Sequence, residues 1–456
     1  MLISSLRSKA QYLLKKVEYE ESLRVVPYLI ASLVAAGTAI IYSKLFFQVE
    51  EAASWILRET HWSVSLLATL ATVFLSWFIP HKIAAQAGGS GIPQMLIANE
   101  LDPSKDKMII RKLIGIRVIL VKIIASLVCV LGGGAVGQEG PTLQIASGIF
   151  YRIGEKSTKW IRQTTLRTFI LAGGASGLAA AFNTPLGGIA YALEELSKDS
   201  FNNFKTYVLW SIITTGIIVQ TFSGGYLYFG FPHLESVVFQ TYLFVVVIGI
   251  LAGAMGSYFG SALYEISKFR KRLKGIKKLI ALNLACGLLF WLGIYFVSAT
   301  GVGGGKVLIM DLLFKNNWAT PFDMLVRIAG PLLMSLAGVA GGLFAPSLAV
   351  GATMGSLLSE FFWTHNHHLL IMAGMIAFLT GFMRTPFTAF ILIFEMTDRH
   401  SALFPMMIAA TVAMWVSSLL QKHSFYDRVK EDFLHEHQNK ESSATALVSS
   451  EKESLS

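Results

Sequence analysis

Glu139 lies in the run Gly-Gln-Glu-Gly-Pro at residues 137–141, within a stretch otherwise built mainly from leucine, valine, alanine and glycine. A carboxylate at membrane depth is energetically costly, and such a residue is by default a candidate functional site. The glycines and Pro141 prevent an ordinary helix from running through this point. A side chain that binds a proton at a break in a membrane helix predicts a gate or a relay on an ion pathway.

Four glycine-rich breaks interrupt the apolar sequence, at residues 89–93, 137–141, 301–305 and 341–346. A helix that begins beside such a break offers free backbone N–H groups and the positive end of its dipole. Several such ends converging on one point would bind an anion without a full positive charge, and weak binding lets the ion leave again. Ser90 adds a hydroxyl donor to the first break. The alternative interpretation is four kinks that serve helix packing.

Two adjacent carboxylates, Glu194 and Glu195, follow the apolar run that ends at Leu193. One interpretation is a pair of ordinary acidic residues at a helix end. Glu395 occupies the position of Glu194 in the second copy of the internal repeat described below, which favours a structural role for Glu194. Glu195 is therefore the unmatched carboxylate and the stronger candidate for a functional role.

Lys122 stands inside another apolar run. The ends of that run are too distant for its ammonium group to reach water by extending along the helix. The position therefore indicates a functional lysine, or one that is buried with a partner.

The elements that must position these residues are membrane-spanning helices. Of the 456 residues, 54% are hydrophobic and only 14% are charged, and several apolar runs are long enough to cross a bilayer core of about 30 Å. Unpaired backbone groups are costly in lipid, so these runs must be helical, which predicts an all-α polytopic membrane protein. The candidate runs are residues 25–47, 62–80, 114–136, 168–193, 206–224, 239–263, 279–300, 323–362, 369–397 and 402–420.

The net charge of +10 is concentrated in two places. Four basic residues precede the first apolar run, at residues 7–16, and seven lie at residues 268–278. The positive-inside tendency predicts that the N-terminus and this mid-chain loop are cytoplasmic. A nucleic-acid-binding patch is the weaker alternative, because the loop is short and joins two apolar runs. Cys129 and Cys286 both fall in apolar segments, so a disulfide framework is not indicated.

The chain contains an internal repeat. Residues 171–185 read LAGGASGLAAAFNTP and residues 372–386 read MAGMIAFLTGFMRTP, at an offset of 201 that also carries Glu194 onto Glu395. A second match, Gly-x-x-x-Pro-x-Leu at residues 137–143 and 342–348, has an offset of 205. Duplicated membrane halves form their binding sites where the two halves meet. Hydropathy alone leaves open whether the halves are parallel or inverted.

Two further patterns carry less weight. His365, His367 and His368 are interpreted as part of a solvated polar loop rather than as metal ligands. The sequence Gly-Ala-Ser-Gly at residues 174–177 is similar to that of intramembrane serine proteases, but no histidine lies inside an apolar run to act as a base,. An enzyme is therefore not expected.

Three motifs resemble, in order, the signature motifs of the CLC chloride channels and transporters. They are Gly89-Ser90-Gly91-Ile92-Pro93, Gly137-x-Glu139-Gly140-Pro141 and Gly342-Leu343-Phe344-Ala345-Pro346. The run Phe182-Asn183-Thr184-Pro185-Leu186 with its glutamate pair and the later Glu395-Met396-Thr397-Asp398 also fit. The similarity covers nearly all of residues 25–430.

The resemblance implies two inverted structural repeats with broken and tilted helices. The repeats would occupy residues 25–230 and 231–426, between a cytoplasmic N-terminal segment (residues 1–24) and a short polar tail (residues 427–456). It further implies a homodimer with one anion pathway in each subunit. That tail is too short for the nucleotide-binding CBS domains of many eukaryotic relatives, so we expect a minimal transporter of a prokaryotic inner membrane.

The resemblance also implies the site residues. The implied chloride-binding residues are Ser90, Gly137, Gln138, Glu139, Leu343, Phe344 and Tyr426. In this comparison Ser90 and Tyr426 coordinate chloride through their hydroxyl groups, and backbone amides near Leu343, Phe344 and Glu139 hold the ion from the other side.

Glu139 would be the outer gating glutamate, and Glu195 matches the internal glutamate that passes protons in from the cytoplasm. Ser90 is similar to the serine of chloride-selective members, whereas proline at this position would suggest nitrate. Gln138 departs from the pattern, because many relatives carry lysine or arginine there; the outer mouth should then be less electropositive.

The expected function is therefore the exchange of chloride for protons across a lipid bilayer, with no cofactor and no nucleic-acid partner. A passive, proton-gated chloride channel is the alternative. Glu195 favours exchange, because a channel does not need an internal proton carrier.

Overall fold

A computed structural model describes residues 2–157, 165–196, 206–224, 228–235, 237–315, 317–362, 366–397 and 400–454, with side chains between Arg24 and Asn439. Within these ranges the chain is helical and has no β-strand. Seven of the helices are long and apolar enough to cross a membrane, as expected for an integral, multi-pass membrane protein.

In the part of its first half that the structure describes, the chain has nine α-helices. They are α1 (Leu2–Glu59), α2 (Trp62–Ile83), α3 (Ile92–Glu100), α4 (Lys107–Ile114), α5 (Ile116–Leu131), α6 (Glu139–Ser157), α7 (Leu166–Phe182), α8 (Pro185–Tyr191) and α9 (Thr206–Ser223). A π-helical turn, Ala192–Leu196, extends α8.

The second half has nine more in the described residues. They are α10 (Phe239–Arg272), α11 (Ile276–Leu292), α12 (Lys306–Phe314), α13 (Pro321–Ala337), α14 (Phe344–Phe361), α15 (His367–Met383), α16 (Pro386–Thr397), α17 (Leu403–Leu420) and α18 (Phe425–Ser454).

Three apolar runs that the sequence presented as single segments are each two helices. The run at residues 323–362 breaks between α13 and α14, where Gly338 has φ of +76°. The other two break after Asn183 and Arg384, with φ of +56° and +61°. A residue with left-handed backbone angles cannot continue a right-handed helix. Hydropathy is a property of side chains and does not report backbone angles. The prediction of single segments was wrong for this reason.

The internal repeat is present in the fold. Adding 201 to the bounds of α7 gives those of α15, and the left-handed caps Asn183 and Arg384 are related by the same offset. Adding 205 to the first residue of α6 gives the first residue of α14. The order and spacing of the sequence motifs therefore reflect a duplicated arrangement of helices.

The two halves are inverted, as the contacts of α8 and α16 demonstrate. Glu194, just beyond the end of α8, accepts hydrogen bonds from the backbone N–H groups of Phe387 and Thr388 at the start of α16 (2.9 and 2.7 Å). Glu395, near the end of α16, accepts them from Leu186 and Gly187 at the start of α8 (3.1 and 2.9 Å). Each helix thus ends where the other begins, so these equivalent helices are antiparallel.

Small residues allow the helices behind the site to approach closely. Gly351 of α14 and Gly374 of α15 face each other so tightly that a Cβ on either would overlap the carbonyl oxygen of the other. In the first half, a Cβ on Gly177 of α7 would lie 2.8 Å from the Cα of Leu143 in α6. Close backbone approach of this kind is the usual packing of membrane helices, and it fixes α6 and α14, whose first residues carry the site.

The expected domain limits coincide with helix boundaries to different degrees. The junction between α9 and α10 lies at residues 224–238, around the expected boundary at 230–231. The helix α1 runs through residue 25 without a break, and α18 begins at Phe425, two residues before the expected tail. All of these domain limits remain predictions.

Candidate anion site

The site begins where two equivalent breaks meet. Gly137 and Gly342 form an antiparallel bridge: the N–H of Gly137 donates to Gly342 O at 2.8 Å, and the N–H of Gly342 donates to Gly137 O at 2.7 Å. Helix α6 begins two residues after the first glycine, and α14 begins two residues after the second. The N-termini of these helices, with their free N–H groups, are therefore side by side.

The other two breaks join this pair. Gly89 donates to Val339 O at 3.0 Å and accepts from Gly341 N–H at 3.1 Å. The 301–305 break is attached through Gly303, whose N–H donates at 3.2 Å to the carbonyl oxygen of Gly133, just before the 137–141 break. The convergence expected from the sequence is present, and kinks that served only local packing would have no reason to share hydrogen bonds.

Ser90 is held between two glycines in left-handed conformations, Gly89 with φ of +67° and Gly91 with φ of +98°. Only glycine adopts such angles without strain. They turn the chain sharply so that α3 starts at Ile92 and Ser90 faces α6. A Cβ on Gly140 would lie 2.9 Å from Ser90 Oγ and 3.1 Å from the Cα of Gly342. Glycine at position 140 therefore lets all three motifs come together.

Glu139 is the first residue of α6 and is only 1% exposed. Its Oε2 atom accepts a hydrogen bond of 3.3 Å from the N–H of Ala345, in the first turn of α14. The negative charge of one half therefore sits at the positive end of a helix from the other half. The carboxylate itself occupies a position where an anion would bind.

Tyr426 comes from the far end of the chain. It lies in the first turn of α18, which packs against α3, and its hydroxyl group lies near the side chains of Ser90, Glu195 and Glu139. Neither Ser90 Oγ nor Tyr426 Oη has a partner within hydrogen-bond distance among the described residues. Two buried hydroxyl donors pointing into one site suit an anion.

A cavity of about 430 Å³ leads from one end of the molecule to Ser90 and Leu343. Its mouth is lined by Arg270 and Lys271, from the basic segment at residues 268–278 that the positive-inside tendency assigns to the cytoplasm,. We call this the cytoplasmic end and the opposite end the outer end. Helix α1 starts at the N-terminus, which the positive-inside tendency places in the cytoplasm, so Glu50 in its last third and the 301–305 break bonded to it are assigned to the outer end,.

The remaining site residues predicted from the sequence are buried near this point. Leu343 precedes α14, Phe344 begins it, and the Phe344 ring lies 5.2 Å from that of Phe182. Gln138 is 1% exposed and donates from Nε2 to Ala181 O at 3.5 Å.

Glu194 belongs to the reciprocal contacts of α8 and α16, which confirms its structural role. Glu195 is buried in the π-helical turn, near the hydroxyl groups of Tyr191 and Tyr426. Its role in proton transfer stays a prediction.

Lys122 is fully buried and paired with backbone carbonyls. Its Nζ atom donates to Gly89 O at 2.7 Å and to Gly88 O at 3.5 Å. The expectation of a buried, paired lysine is confirmed, and its partner is the break that carries Ser90.

One histidine differs from the sequence interpretation. His367 is the first residue of α15 and is 8% exposed; its Nδ1 atom hydrogen-bonds Ser359 Oγ, and its ring lies 4.0 Å from that of Trp318. The prediction of a solvated position was wrong for His367, because α14 and α15 pack closely around it. His368 hydrogen-bonds His233 O, and His365 lies outside the described residues.

The sequence analysis missed three charged residues near the outer end. Glu50 accepts a hydrogen bond from Gly304 N–H at 3.1 Å, and Arg327 donates to Gly303 O and Val302 O, both at 3.0 Å. Lys306, directly after the third break, interacts electrostatically with Glu50 and Glu139. Only Lys306 carried a signal in the sequence, as a charged residue directly after a glycine-rich break.

Comparisons with known proteins agree with this geometry. The exchange transporter of protons and chloride ClcA from Salmonella typhi is 28% identical over 383 residues, covering 81% of this chain and 78% of the relative. The structure of a slow cyanobacterial chloride/proton antiporter superimposes with a TM-score of 0.76 at 22% identity, covering 90% of this chain and 98% of that chain. A CLC-type fluoride/proton antiporter gives a TM-score of 0.73 at 22% identity, with coverages of 90% and 98%.

Residues 72–418 match the family described as voltage gated chloride channel. This range contains all four glycine-rich breaks, Glu139 and the glutamate pair. The chain belongs to the voltage-gated chloride channel family.

Proposed function

We propose that this protein exchanges chloride for protons, with the carboxylate of Glu139 as both competitor of the anion and carrier of the proton. The observation that carries the proposal is the hydrogen bond from Ala345 N–H to Glu139 Oε2. A carboxylate held at a helix N-terminus blocks that position for chloride. Once protonated, the side chain is neutral and is no longer attracted to the N-terminus of α14, so the anion can enter that position.

Chloride would lie between the two sets of donors. Ser90 and Tyr426 supply hydroxyl groups from the cytoplasmic side, and the backbone near Leu343 and Phe344 supplies the N-terminus of α14, with Gly137 and Gln138 on the α6 side. Partial positive charges attract the ion, and the Lys122 ammonium beside Ser90 is hydrogen-bonded to the carbonyl oxygens of Gly88 and Gly89, so the ion is released readily.

Glu195 would pass protons between the cytoplasm and Glu139. Its support is its burial, its position on the Tyr426 side, and the unmatched place it holds in the repeat, where Glu194 has the structural function. Coupling follows because the Glu139 position accepts either the carboxylate or chloride, so neither ion moves far without a change in the other.

Relatives named as proton/chloride exchangers support exchange over a passive channel, since ClcA is 28% identical over most of both chains. The family also supports a homodimer in a prokaryotic inner membrane, with one complete anion pathway per subunit. Every group proposed to contact chloride comes from a single chain.

Reconstitution of the purified protein in liposomes tests the proposal. Liposomes loaded with chloride and diluted into low-chloride buffer should release chloride and take up protons, so that the external pH rises even against a proton gradient. Chloride release without proton movement would refute exchange and leave the channel alternative.

The Glu139→Ala variant should keep chloride release and lose proton uptake, because the anion position is then always open and the proton carrier is gone. Glu360→Ala, at the exposed end of α14, removes a carboxylate from the partner helix away from the site and should behave as the wild type. Normal proton uptake by Glu139→Ala would contradict the role of this glutamate.

A further inference from the structure

Lys306 occupies an unusual position at the outer end. It is the first residue of α12, directly after Gly305, which has φ of +88°. A lysine at this point places a positive charge at the positive end of the helix dipole, which is unfavourable. Helix formation alone therefore gives no reason for lysine here.

Aromatic rings hold the ammonium group in place. The Nζ atom lies 3.8 Å from the ring centroid of Tyr228 and 4.8 Å from that of Phe47. Cation–π contacts attract the charge without neutralising it, unlike a carboxylate partner. Glu50, the acidic residue on this side, directs its Oε1 atom to the N–H of Gly304 at 3.1 Å.

The lysine is close to the gate. A Cβ on Gly304 would lie 3.6 Å from the Cα of Gly137, so the segment leading into α12 runs against the segment that carries Gln138 and Glu139. Tyr228, whose ring lies under the Lys306 ammonium group, is also near the side chains of Gln138 and Glu139. The aromatic ring thus joins the lysine to both residues of the second break.

We propose that Lys306 is the cation that draws chloride to the outer side of the gate, a function that the uncharged Gln138 cannot provide. The inference rests on the proposed function, because it assumes that chloride passes Glu139. From the sequence, the uncharged Gln138 was expected to leave the outer mouth weakly electropositive. In this proposal Lys306, from the second half of the fold, supplies the positive charge instead.

The physical effect is on ion capture. When Glu139 is charged and in its α14 position, Lys306 is partly compensated by it. When Glu139 is protonated, the positive charge of Lys306 is exposed to the pathway at the moment chloride must enter. Fixed charge at the mouth of a cleft raises the rate of ion entry by about tenfold or more.

The test measures the initial rate of chloride transport in liposomes against chloride concentration. Lys306→Met keeps the apolar stem of the side chain against the two rings, so we expect normal expression and about a tenfold lower rate at low chloride. The rate at saturating chloride should change much less. Lys315→Met, on the same helix in an exposed pair with Asp311, removes an equal charge and should leave the curve unchanged.

The source of the effect is tested by moving the charge. Gln138→Lys combined with Lys306→Met should restore transport at low chloride, because position 138 also adjoins Tyr228, and Lys306→Arg should retain it. An inert salt should slow the wild type more than Lys306→Met, since screening weakens only an electrostatic effect. Equal salt dependence, or no rescue by either basic variant, would overturn the inference in favour of a packing role.

The two hypotheses fail in different ways. A wild-type protein that moves no chloride would refute the proposed function. A wild type that exchanges normally, together with a Lys306→Met variant whose chloride dependence is unchanged, would refute this inference alone.

Discussion

The adjacent residues Glu194 and Glu195 should respond oppositely to the same substitution. Glu194 accepts hydrogen bonds from two backbone N–H groups and from Thr388 Oγ1 at 2.7 Å. In Glu194→Gln, one oxygen becomes an amide nitrogen that faces these donors. At least one charge-assisted hydrogen bond, contributing about 1.5–3 kcal/mol, is then lost.

Burial determines the magnitude of the loss. Glu194 is partly exposed, so water can replace part of the lost acceptor, and we expect a decrease in the free energy of unfolding of about 2 kcal/mol. Glu395, with the equivalent contacts to α8, is 4% exposed, and its glutamine variant should lose about 3 kcal/mol. The double variant should be close to additive, because the two contacts do not share a partner.

The assay is reversible unfolding in detergent micelles, followed by helicity, alongside proton-coupled transport in liposomes. Glu194→Gln should unfold more readily and still couple protons to chloride. Glu195→Gln, one residue further on, is the matched control: it should lose proton coupling with little loss of stability. A Glu194→Gln variant with unchanged stability and lost coupling would show that the two roles are assigned the wrong way round.

Two other variants probe the positioning of Ser90. Gly140→Ala should lose chloride binding, measured by titration calorimetry, because the added Cβ overlaps Ser90 and the break at Gly342; normal binding would mean that the three motifs need not be in contact. Lys122→Met should weaken chloride binding several-fold, since it removes the donor to Gly89 O at 2.7 Å and leaves that buried carbonyl without a charged partner,; Lys112→Met, on the exposed side of α4, should bind chloride as the wild type does.

The sequence predicted much of the site because the relevant residues are chemically rare in their surroundings. A glutamate, a serine and four glycine-rich breaks stand out within apolar helices, and the pattern of the break at residues 137–141 recurs at residues 342–346. Two kinds of feature escaped prediction. Breaks at Asn183 and Arg384 depend on one backbone angle, and His367 is buried only because α14 and α15 pack around it.

The sequence by itself determined that the chain is a helical membrane protein with a repeated plan and that Glu139 is its most unusual carboxylate. These properties depend on the transfer of side chains and backbone from water to lipid, which composition and spacing record directly. Tertiary structure decided that the halves are inverted, that Glu139 lies at the N-terminus of α14, and that Lys306 adjoins it. Such contacts join residues up to 209 positions apart, and their geometry exists only after the antiparallel halves have packed together.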